Sequence, residues 1–259
     1  SLQEIIWIIA PVLITFVALQ AGTVPGLLLV VVILIGGGAW FISSPELGRV
    51  RIPRSRRSLG RVLLKPPVLL ATATGFLLIG ACSAVEAGVV ASFGHGGLES
   101  GLVLAVFAVG SLAGGLSFGH IPIGRWAMAR RFLIVTVGLA ATIFSLNAWW
   151  LGGSLLVAGI GIAPALAVMF AITSASVKFS ETAEAYGWIG TGQLIGAAAG
   201  SAIAGFLIDG VGPQGAYVAA TLFAAAGLIV AASCVRWFPD LRGRDASPIP
   251  DTAPVHTIT

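Results

Sequence analysis

The chain has 259 residues, of which 57% are hydrophobic and only 9% are charged, and its formal net charge is +4. A soluble domain carries about 25% charged residues, so a soluble fold of this size could not bury so much apolar surface. A lipid bilayer removes that difficulty, and the composition therefore predicts an α-helical integral membrane protein. The positive charge lies in short loops between apolar segments, which favours orientation in a membrane over nucleic acid as a partner.

Eight apolar segments are long enough to cross a bilayer, which takes about 20 helical residues each. In chain order, the predicted helices are Glu4–Ala21, Val24–Ser43, Pro67–Ser92, Glu99–Gly119, Arg131–Trp149, Ser154–Ser176, Tyr186–Ile208 and Gln214–Val235. Gly and Pro predict tight turns at Gly22–Gly26 and at Trp149–Gly153. The sequence lacks the short alternating strands of a transmembrane barrel. The predicted fold class is therefore all-α, a polytopic bundle of about eight spanning helices.

The cations are distributed unevenly between the loops. Seven of the 14 Lys and Arg lie between the second and third predicted helices, three between the fourth and fifth, one between the sixth and seventh, and three after the eighth. The opposite loops contain none. Cytoplasmic loops carry the excess of Lys and Arg, so this pattern predicts a multi-pass protein of the inner or plasma membrane with both termini in the cytoplasm.

Four glycine-containing segments resemble the bacterial drug- and sugar-efflux members of the major facilitator superfamily. They are Gly80–Gly88, Gly110–Gly119, Gly159–Ala165 and Glu184–Gly192, and they resemble the seventh, eighth, tenth and eleventh helices of those proteins. Members of this family have twelve helices in two six-helix halves, joined by a basic cytoplasmic loop. Two positions depart from the family pattern. Ala10-Pro11 replaces the Gly-Pro pair of the fifth helix, and the loop Gly119–Arg125 lacks the acidic residue that usually precedes Gly-Arg.

The resemblance implies a division of the chain into four parts. Residues 1–43 are expected to be the last two helices of an incomplete N-terminal bundle, 44–65 the basic cytoplasmic loop, and 66–235 the C-terminal six-helix bundle. The first four family helices are absent and the chain does not begin with Met, so it is expected to be a piece of a longer protein. The tail, residues 236–259, is rich in Pro, Asp, Ser and Thr, and we predict that it is disordered.

Glu86 is the only ionisable residue placed well inside a predicted span, about six residues or 9 Å from the helix end. An acid inside a membrane is costly and is a functional candidate by default. We interpret Glu86 as a carboxylate that couples protons or recognises a cation. The alternative is an acid that faces an outer water-filled vestibule or bonds to a helix end.

Several other polar or aromatic residues in the spans are candidates to line a substrate path. They are Gln193, Asn147, Thr173, Trp188 and Thr191. Gln193 is favoured among them because Trp188 and Thr191 lie close by on the same helix. These groups could equally hydrogen-bond neighbouring helices, as polar side chains in membranes commonly do.

Small residues recur at four-residue spacing and predict close helix packing. They are Gly192, Gly196 and Gly200 on one helix, and Gly110, Gly114, Gly115 and Gly119 on another. This spacing places small residues on one face, where two backbones can approach closely, and such a face could also act as a sliding surface. Pro164 lies in mid-span, where it either kinks its helix or serves as a hinge in alternating access.

No metal-ligand spacing, nucleotide-binding motif or nucleophile–base pair is found in the sequence, so we predict no cofactor, no metal and no enzyme activity. The leading hypothesis is a secondary active transporter, a proton-coupled antiporter for efflux of a small organic or amphipathic molecule. Its expected partners are the lipid bilayer, this substrate and protons, with no obligate protein partner. Two alternatives remain, the permease subunit of an ABC transporter and a membrane remnant or scaffold without transport activity.

Overall fold

The computed structural model describes residues 22–45, 60–94 and 98–251, together with Val17 and Gln20. Within these residues the fold is all-α, as predicted, and the one β interaction is an isolated bridge between Lys178 and Ile249. The described helices are α1 (Thr23–Ile42), α2 (Pro66–Phe93), α3 (Leu98–Phe118), α4 (Ala127–Thr142), α5 (Ala148–Ser174), α6 (Thr182–Val211) and α7 (Gln214–Ser233).

Six of these seven helices are long and apolar enough to cross a membrane. The exception is α4, which has only 16 residues and begins close to three arginines. The prediction of about eight spans therefore exceeds what the described residues show. The first predicted span, Glu4–Ala21, lies outside them apart from Val17 and Gln20.

The predicted turn at Trp149–Gly153 is wrong, because these residues lie inside the first turns of α5. The connection between α4 and α5 is instead formed by residues 143–147. Asn147 determines where α5 begins, since its Oδ1 accepts hydrogen bonds from the backbone N–H of Trp149 (2.9 Å) and Trp150 (3.5 Å). Asn is among the strongest N-cap residues, and this cap fixes the helix start despite the glycines that follow.

The chain forms two compact units, one within residues 2–55 and one within residues 56–259. The first contains α1, whose large apolar side chains are mostly exposed, including Leu27, Val32 and Leu34. A helix that is apolar on all sides suits a membrane environment. The second unit contains α2 to α7.

The packing of α2 to α7 has an internal repeat of three helices. The most extensive contacts are those of α2 with α6 and of α5 with α3. Next come the contacts of α5 with α4 and of α2 with α7. The repeat relates α2 to α5, α3 to α6 and α4 to α7. The α2–α6 pair then corresponds to the α5–α3 pair, and the α2–α7 pair to the α5–α4 pair. Helices α2 and α5 therefore occupy equivalent central positions. One pair breaks the pattern: α6 packs directly on α7, whereas α3 and α4 make almost no contact.

Glycines on α3 and α6 bring the paired helices into backbone contact. On α6, Gly196 and Gly200 lie against the carbonyl groups of Phe76 and Gly80 on α2. On α3, Gly110 and Gly114 lie in the same way against the carbonyl groups of two α5 residues, Leu156 and Ile160. A methyl group at any of these four glycines would overlap a backbone carbonyl, so the spacing permits the close approach of the two backbones.

The segment after α7 follows a defined path over the bundle, so the prediction of disorder is wrong for residues 238–251. Phe238 is only 1% exposed and Leu241 only 7%. The backbone N–H of Leu241 donates to the carbonyl of Ile123 in the α3–α4 connection (2.9 Å). Further on, the N–H of Ile249 donates to the carbonyl of Val177 in the α5–α6 connection (2.9 Å). The buried side chains of Phe238 and Leu241 and these two backbone hydrogen bonds hold the segment on the bundle, although most of its residues are polar or proline.

Candidate functional site

Glu86 lies on α2, seven residues before the last residue of that helix, Phe93. Among the six described spans it is the one Asp, Glu, Lys or Arg that lies more than a turn and a half from either end. Its side chain is exposed and borders a surface groove of about 440 Å³ between α2 and α6. The other residues that line this groove are Ser83, Ala87, Val90, Ala91, Ser201 and Ile208.

The groove owes its position to helix geometry. Ser83, Glu86 and Ala87 share one face of α2 because they are three and four residues apart. One turn earlier, the contact of Gly200 with the carbonyl of Gly80 holds α6 against α2. The result is a mainly apolar groove with one carboxylate and the hydroxyl-bearing residues Ser83 and Ser201. Such a surface suits a ligand that is largely apolar and carries a polar or charged group.

A second polar cluster lies where α2, α5 and α6 meet. Gln193 of α6 is half-buried, and its Nε2 donates to the Sδ of Met169 on α5 at 3.8 Å. A thioether is a weak acceptor, so this amide is poorly satisfied. Nearby on α2, the Oγ1 of Thr72 is buried and has no hydrogen-bond partner among the described residues. Under-satisfied buried polar groups are uncommon and leave donors and acceptors available to a substrate.

Thr72 was not identified from the sequence, because threonine in a helix usually bonds to its own backbone. Thr74 does this, with its Oγ1 donating to the carbonyl of Leu70 at 2.7 Å. The Oγ1 of Thr72 makes no such bond, and Gly192 of α6 packs against the methyl group and the carbonyl of Thr72. Sequence alone gives no signal that separates the two threonines.

Glu86 and Gln193 both lie along the contact between α2 and α6, but they do not form one cluster. The Cγ of Gln193 lies level with Gly75 on α2. Gly75 precedes Glu86 by eleven residues, which corresponds to about 16 Å along a helix. The groove and the Gln193 cluster are therefore separate polar positions on one helix pair.

The remaining polar candidates have local partners or none. Thr173 is fully buried in α5, and its Oγ1 has no partner among the described residues. Thr191 is exposed and donates to the carbonyl of Gly187 on its own helix at 2.9 Å. The Nε1 of Trp188 donates to Oε1 of Glu184 at 3.5 Å near the start of α6. Asn147 is exposed at a helix N-cap, so its predicted place inside a span is wrong.

The other predicted packing residues differ in their surroundings. Gly115 is less crowded than Gly114, since a methyl group there would lie 3.3 Å from the Cβ of Ala163. Gly119 follows the end of α3, and only carbonyl groups of its own helix lie near it. Pro164 is buried in the middle of α5, which continues through it to Ser174.

Charged groups link the connections at the end of the bundle where α2 and α6 begin. Lys65 and Glu181 form an ion pair of 2.6 Å, and the Glu181 side chain is only 3% exposed. The backbone N–H of Gly60 donates to Oε1 of Glu184 at 2.6 Å. These contacts hold the segment before α2 against the α5–α6 connection. Within the described residues, no group of three His, Cys, Asp or Glu is arranged to hold a metal ion.

Residues 84–257 match the sequence profile of the Major Facilitator Superfamily. The match covers more than half of the chain, so the protein belongs to this family of membrane transporters. No individual curated protein matches the chain.

Proposed function

We propose that this member of the major facilitator superfamily is a secondary active transporter that exports a small organic or amphipathic molecule in exchange for protons. Glu86 is the proposed proton carrier. The observation that supports this role is its position: a single carboxylate, well inside a span, on a mainly apolar groove between α2 and α6. The family match supports transport in preference to the scaffold and ABC-subunit alternatives.

The chemistry of the groove supports proton coupling. A carboxylate that faces water is stable as an anion, whereas enclosing it among apolar walls disfavours the charged form. If the groove opens and closes during alternating access, Glu86 takes up a proton before closure and releases it when water returns. The hydroxyl groups of Ser83 and Ser201 are available to bond the substrate's polar group, while the apolar walls accommodate its body.

The glycine contacts support helix movement during this cycle. The α2 atoms nearest to Gly196 and Gly200 are backbone atoms of Phe76 and Gly80. A backbone contact of this kind permits sliding or pivoting between α2 and α6 with little repacking, and Pro164 provides a hinge in α5.

We assign residues 66–235 to the C-terminal six-helix bundle, residues 1–43 to the N-terminal one, and both chain ends to the cytoplasm.

Replacing Glu86 tests the proposal directly. We expect Glu86→Gln to abolish substrate transport driven by a pH gradient in proteoliposomes, because the amide has a similar shape but cannot exchange a proton. Glu86→Asp should keep part of the activity, since it retains a carboxylate that is one methylene shorter. Glu99→Gln is the matched control, because Glu99 is an exposed acid in the first turn of α3 and should be dispensable.

Thermal unfolding of each variant in detergent accompanies the transport assay. Glu86→Gln should unfold at the same temperature as the wild type or slightly higher, since the substitution removes a charge from an apolar groove. Gradient-driven transport that survives in Glu86→Gln would show that Glu86 is only a vestibule acid.

A further inference from the structure

The helices α2 to α7 form two groups, and most of their packing contacts lie within a group. In the first group α2, α6 and α7 all contact one another, and in the second α3 and α4 both pack on α5. Between the groups, the most extensive contact is that of α4 with α7, where the ring of Phe132 lies against Gly227. The contacts of α2 with α3 and α5, and of α5 with α6, are smaller. The boundary between the two groups, named the seam, is therefore where packing resists opening least.

The segment after α7 crosses this seam. Residues 238–251, named the tail strap, leave the end of α7 in the first group, and the side chains of Phe238 and Leu241 are buried. The backbone N–H of Leu241 donates to the carbonyl of Ile123 at 2.9 Å. Ile123 lies in the connection between α3 and α4, so this half of the tail strap ties α7 to the second group.

The other half of the tail strap binds the connection between α5 and α6. Both backbone groups of Ile249 take part, since its N–H donates to the carbonyl of Val177 (2.9 Å) and its carbonyl accepts from the N–H of Phe179 (3.0 Å). Two residues later, the carboxylate of Asp251 accepts from the N–H (3.1 Å) and the Oγ (2.6 Å) of Ser180. Four hydrogen bonds thus hold the tail strap to this connection.

The α5–α6 connection is itself fixed to the first group. It leads directly into α6, and its Glu181 forms the ion pair of 2.6 Å with Lys65, the residue before α2. The backbone N–H of Gly60 adds a hydrogen bond to Glu184 on α6. The tail strap therefore runs from the first group to the second and back to the first. Opening of the seam at this end would have to break its bonds.

The sequence of the tail strap suits an extended tie. Pro248 and Pro250 flank Ile249, and a residue before proline favours extended backbone, which is the conformation that pairing with Val177 requires. The two prolines also restrict the free chain, so that less conformational entropy is lost when the segment docks. Because proline has no N–H, Ile249 is the one residue of these three that can donate a backbone hydrogen bond.

We propose that the tail strap is a clasp that limits how far the seam opens at this end of the bundle. While it is docked, the α3–α4 connection and the start of α6 keep a fixed separation. Releasing Ile249 and Asp251 frees α4 to move relative to α6. The clasp acts within the bundle of α2 to α7 and does not depend on the proposed role of Glu86.

Spin labels on the two groups test this proposal. In a cysteine-free background of the full chain, labels at Arg130→Cys on α4 and Ala183→Cys on α6, both exposed positions, report the width of the seam by double electron–electron resonance. We expect one narrow distance distribution. The double substitution Ile249→Pro and Asp251→Ala should broaden it and shift it to longer distances, because it removes the N–H and the carboxylate that hold the tail strap.

Two controls separate the clasp from general loosening. Asp245→Ala is the matched variant, because Asp245 accepts the same kinds of bond, from the N–H (3.2 Å) and Oγ (2.7 Å) of Ser247, but within the tail strap itself. It should leave the distance distribution unchanged. A second label pair, Leu69→Cys on α2 with Ala183→Cys, lies within the first group and should stay narrow in every variant.

An unchanged distribution between Arg130→Cys and Ala183→Cys in the double variant would contradict the proposal. Equal broadening by Asp245→Ala, or equal broadening of the pair within the first group, would show loosening of the tail or of α6 and would also overturn it. If far-UV circular dichroism shows that the double variant loses helicity, Asp251→Ala alone decides, because it keeps the bonds of Ile249 and should still broaden the distribution.

Discussion

The contact between Gly114 and Ile160 shows how much one residue controls the fit of two helices. Pro164 has no backbone N–H, so the carbonyl of Ile160, four residues earlier, lacks its usual partner within α5. Gly114 of α3 lies against this same carbonyl. The glycine allows the α3 backbone to cover the freed carbonyl, where a Cα–H···O contact partly replaces the lost hydrogen bond. The sequence predicts small residues on this face, but it cannot predict which carbonyl they meet.

Replacing Gly114 by Ala should therefore destabilise the bundle. The added methyl group overlaps the Ile160 carbonyl, and forced overpacking of this kind costs about 1–3 kcal/mol. The better helix propensity of Ala recovers only about 1 kcal/mol. We expect a lower midpoint of thermal unfolding in detergent, followed by circular dichroism. Gly190→Ala on α6 is the control, because nothing lies within 4 Å of the new methyl group and the midpoint should stay the same or rise. Equal shifts in the two variants would contradict the packing argument.

Among the candidate site residues, a sequence can single out only those whose chemistry is unusual in any environment. Glu86 is recognisable because a carboxylate within an apolar span is costly wherever it points. Asn147 is not, since a polar residue in an apolar run can equally be a helix cap, and here it accepts from two backbone N–H groups. Thr72 could not be found because nothing in the local sequence shows that its Oγ1 lacks a partner among the described residues or that Gly192, from a helix distant in sequence, packs against it.

At the scale of elements, the tail shows why composition can mislead. Polar residues and prolines dominate residues 236–251, and such sequences rarely repay the entropy of ordering. Phe238 and Leu241 nevertheless fill apolar positions on the bundle, and Asp251 accepts hydrogen bonds from the N–H (3.1 Å) and Oγ (2.6 Å) of Ser180. A few buried side chains and hydrogen bonds are enough to order the tail. Their partners include residues in the connections between helices, so the composition of the tail alone does not reveal these contacts.

Acidification should loosen the tail. Hydrogen bonds from Arg242 lower the pKa of Asp240 from its usual 3.8 to about 2, and Arg125 in the α3–α4 connection adds to this effect. A carboxyl with a lowered pKa stabilises the folded arrangement fully above pH 3.8, and this contribution is lost as the pH falls through 2. A spin label at Ser247→Cys, with Cys82 and Cys234 replaced by Ser, should stay immobile from pH 7 to 4 and gain mobility between pH 4 and 2.

The variant Asp240→Asn provides the control for this titration. Without the carboxylate, label mobility should be higher at neutral pH and should change little between pH 4 and 2. Far-UV circular dichroism over the same range identifies any unfolding of the helices themselves. Identical titration curves with and without Asp240 would show that the ion pair does not hold the tail.

At the scale of the whole molecule, the sequence predicts the fold class and the family, because both follow from long apolar runs and recurrent glycines. Residues 84–257 match the Major Facilitator Superfamily, as the resemblance of four short segments implied. The fifth predicted helix, Arg131–Trp149, runs past the end of α4, which stops at Thr142, well before the uncharged run ends. Hydropathy averages cannot locate such a stop, because residues 143–147, which separate α4 from the Asn147 cap of α5, are also uncharged.

The orientation of the bundle in the membrane remains a prediction, and the structure sharpens its test. The ion pair of Lys65 with Glu181 and the backbone bonds of Ile123 and Val177 with the tail gather the basic connections at one end of the bundle. The positive-inside rule assigns that end to the cytoplasm. In a chain with Cys82 and Cys234 replaced by Ser, a membrane-impermeant maleimide should label Ser247→Cys only in inside-out vesicles. Asp209→Cys, near the opposite end of α6, should label only in right-side-out vesicles. The reverse pattern would invert the assigned topology, and with it the side of the membrane from which Glu86 takes up a proton in the proposed cycle.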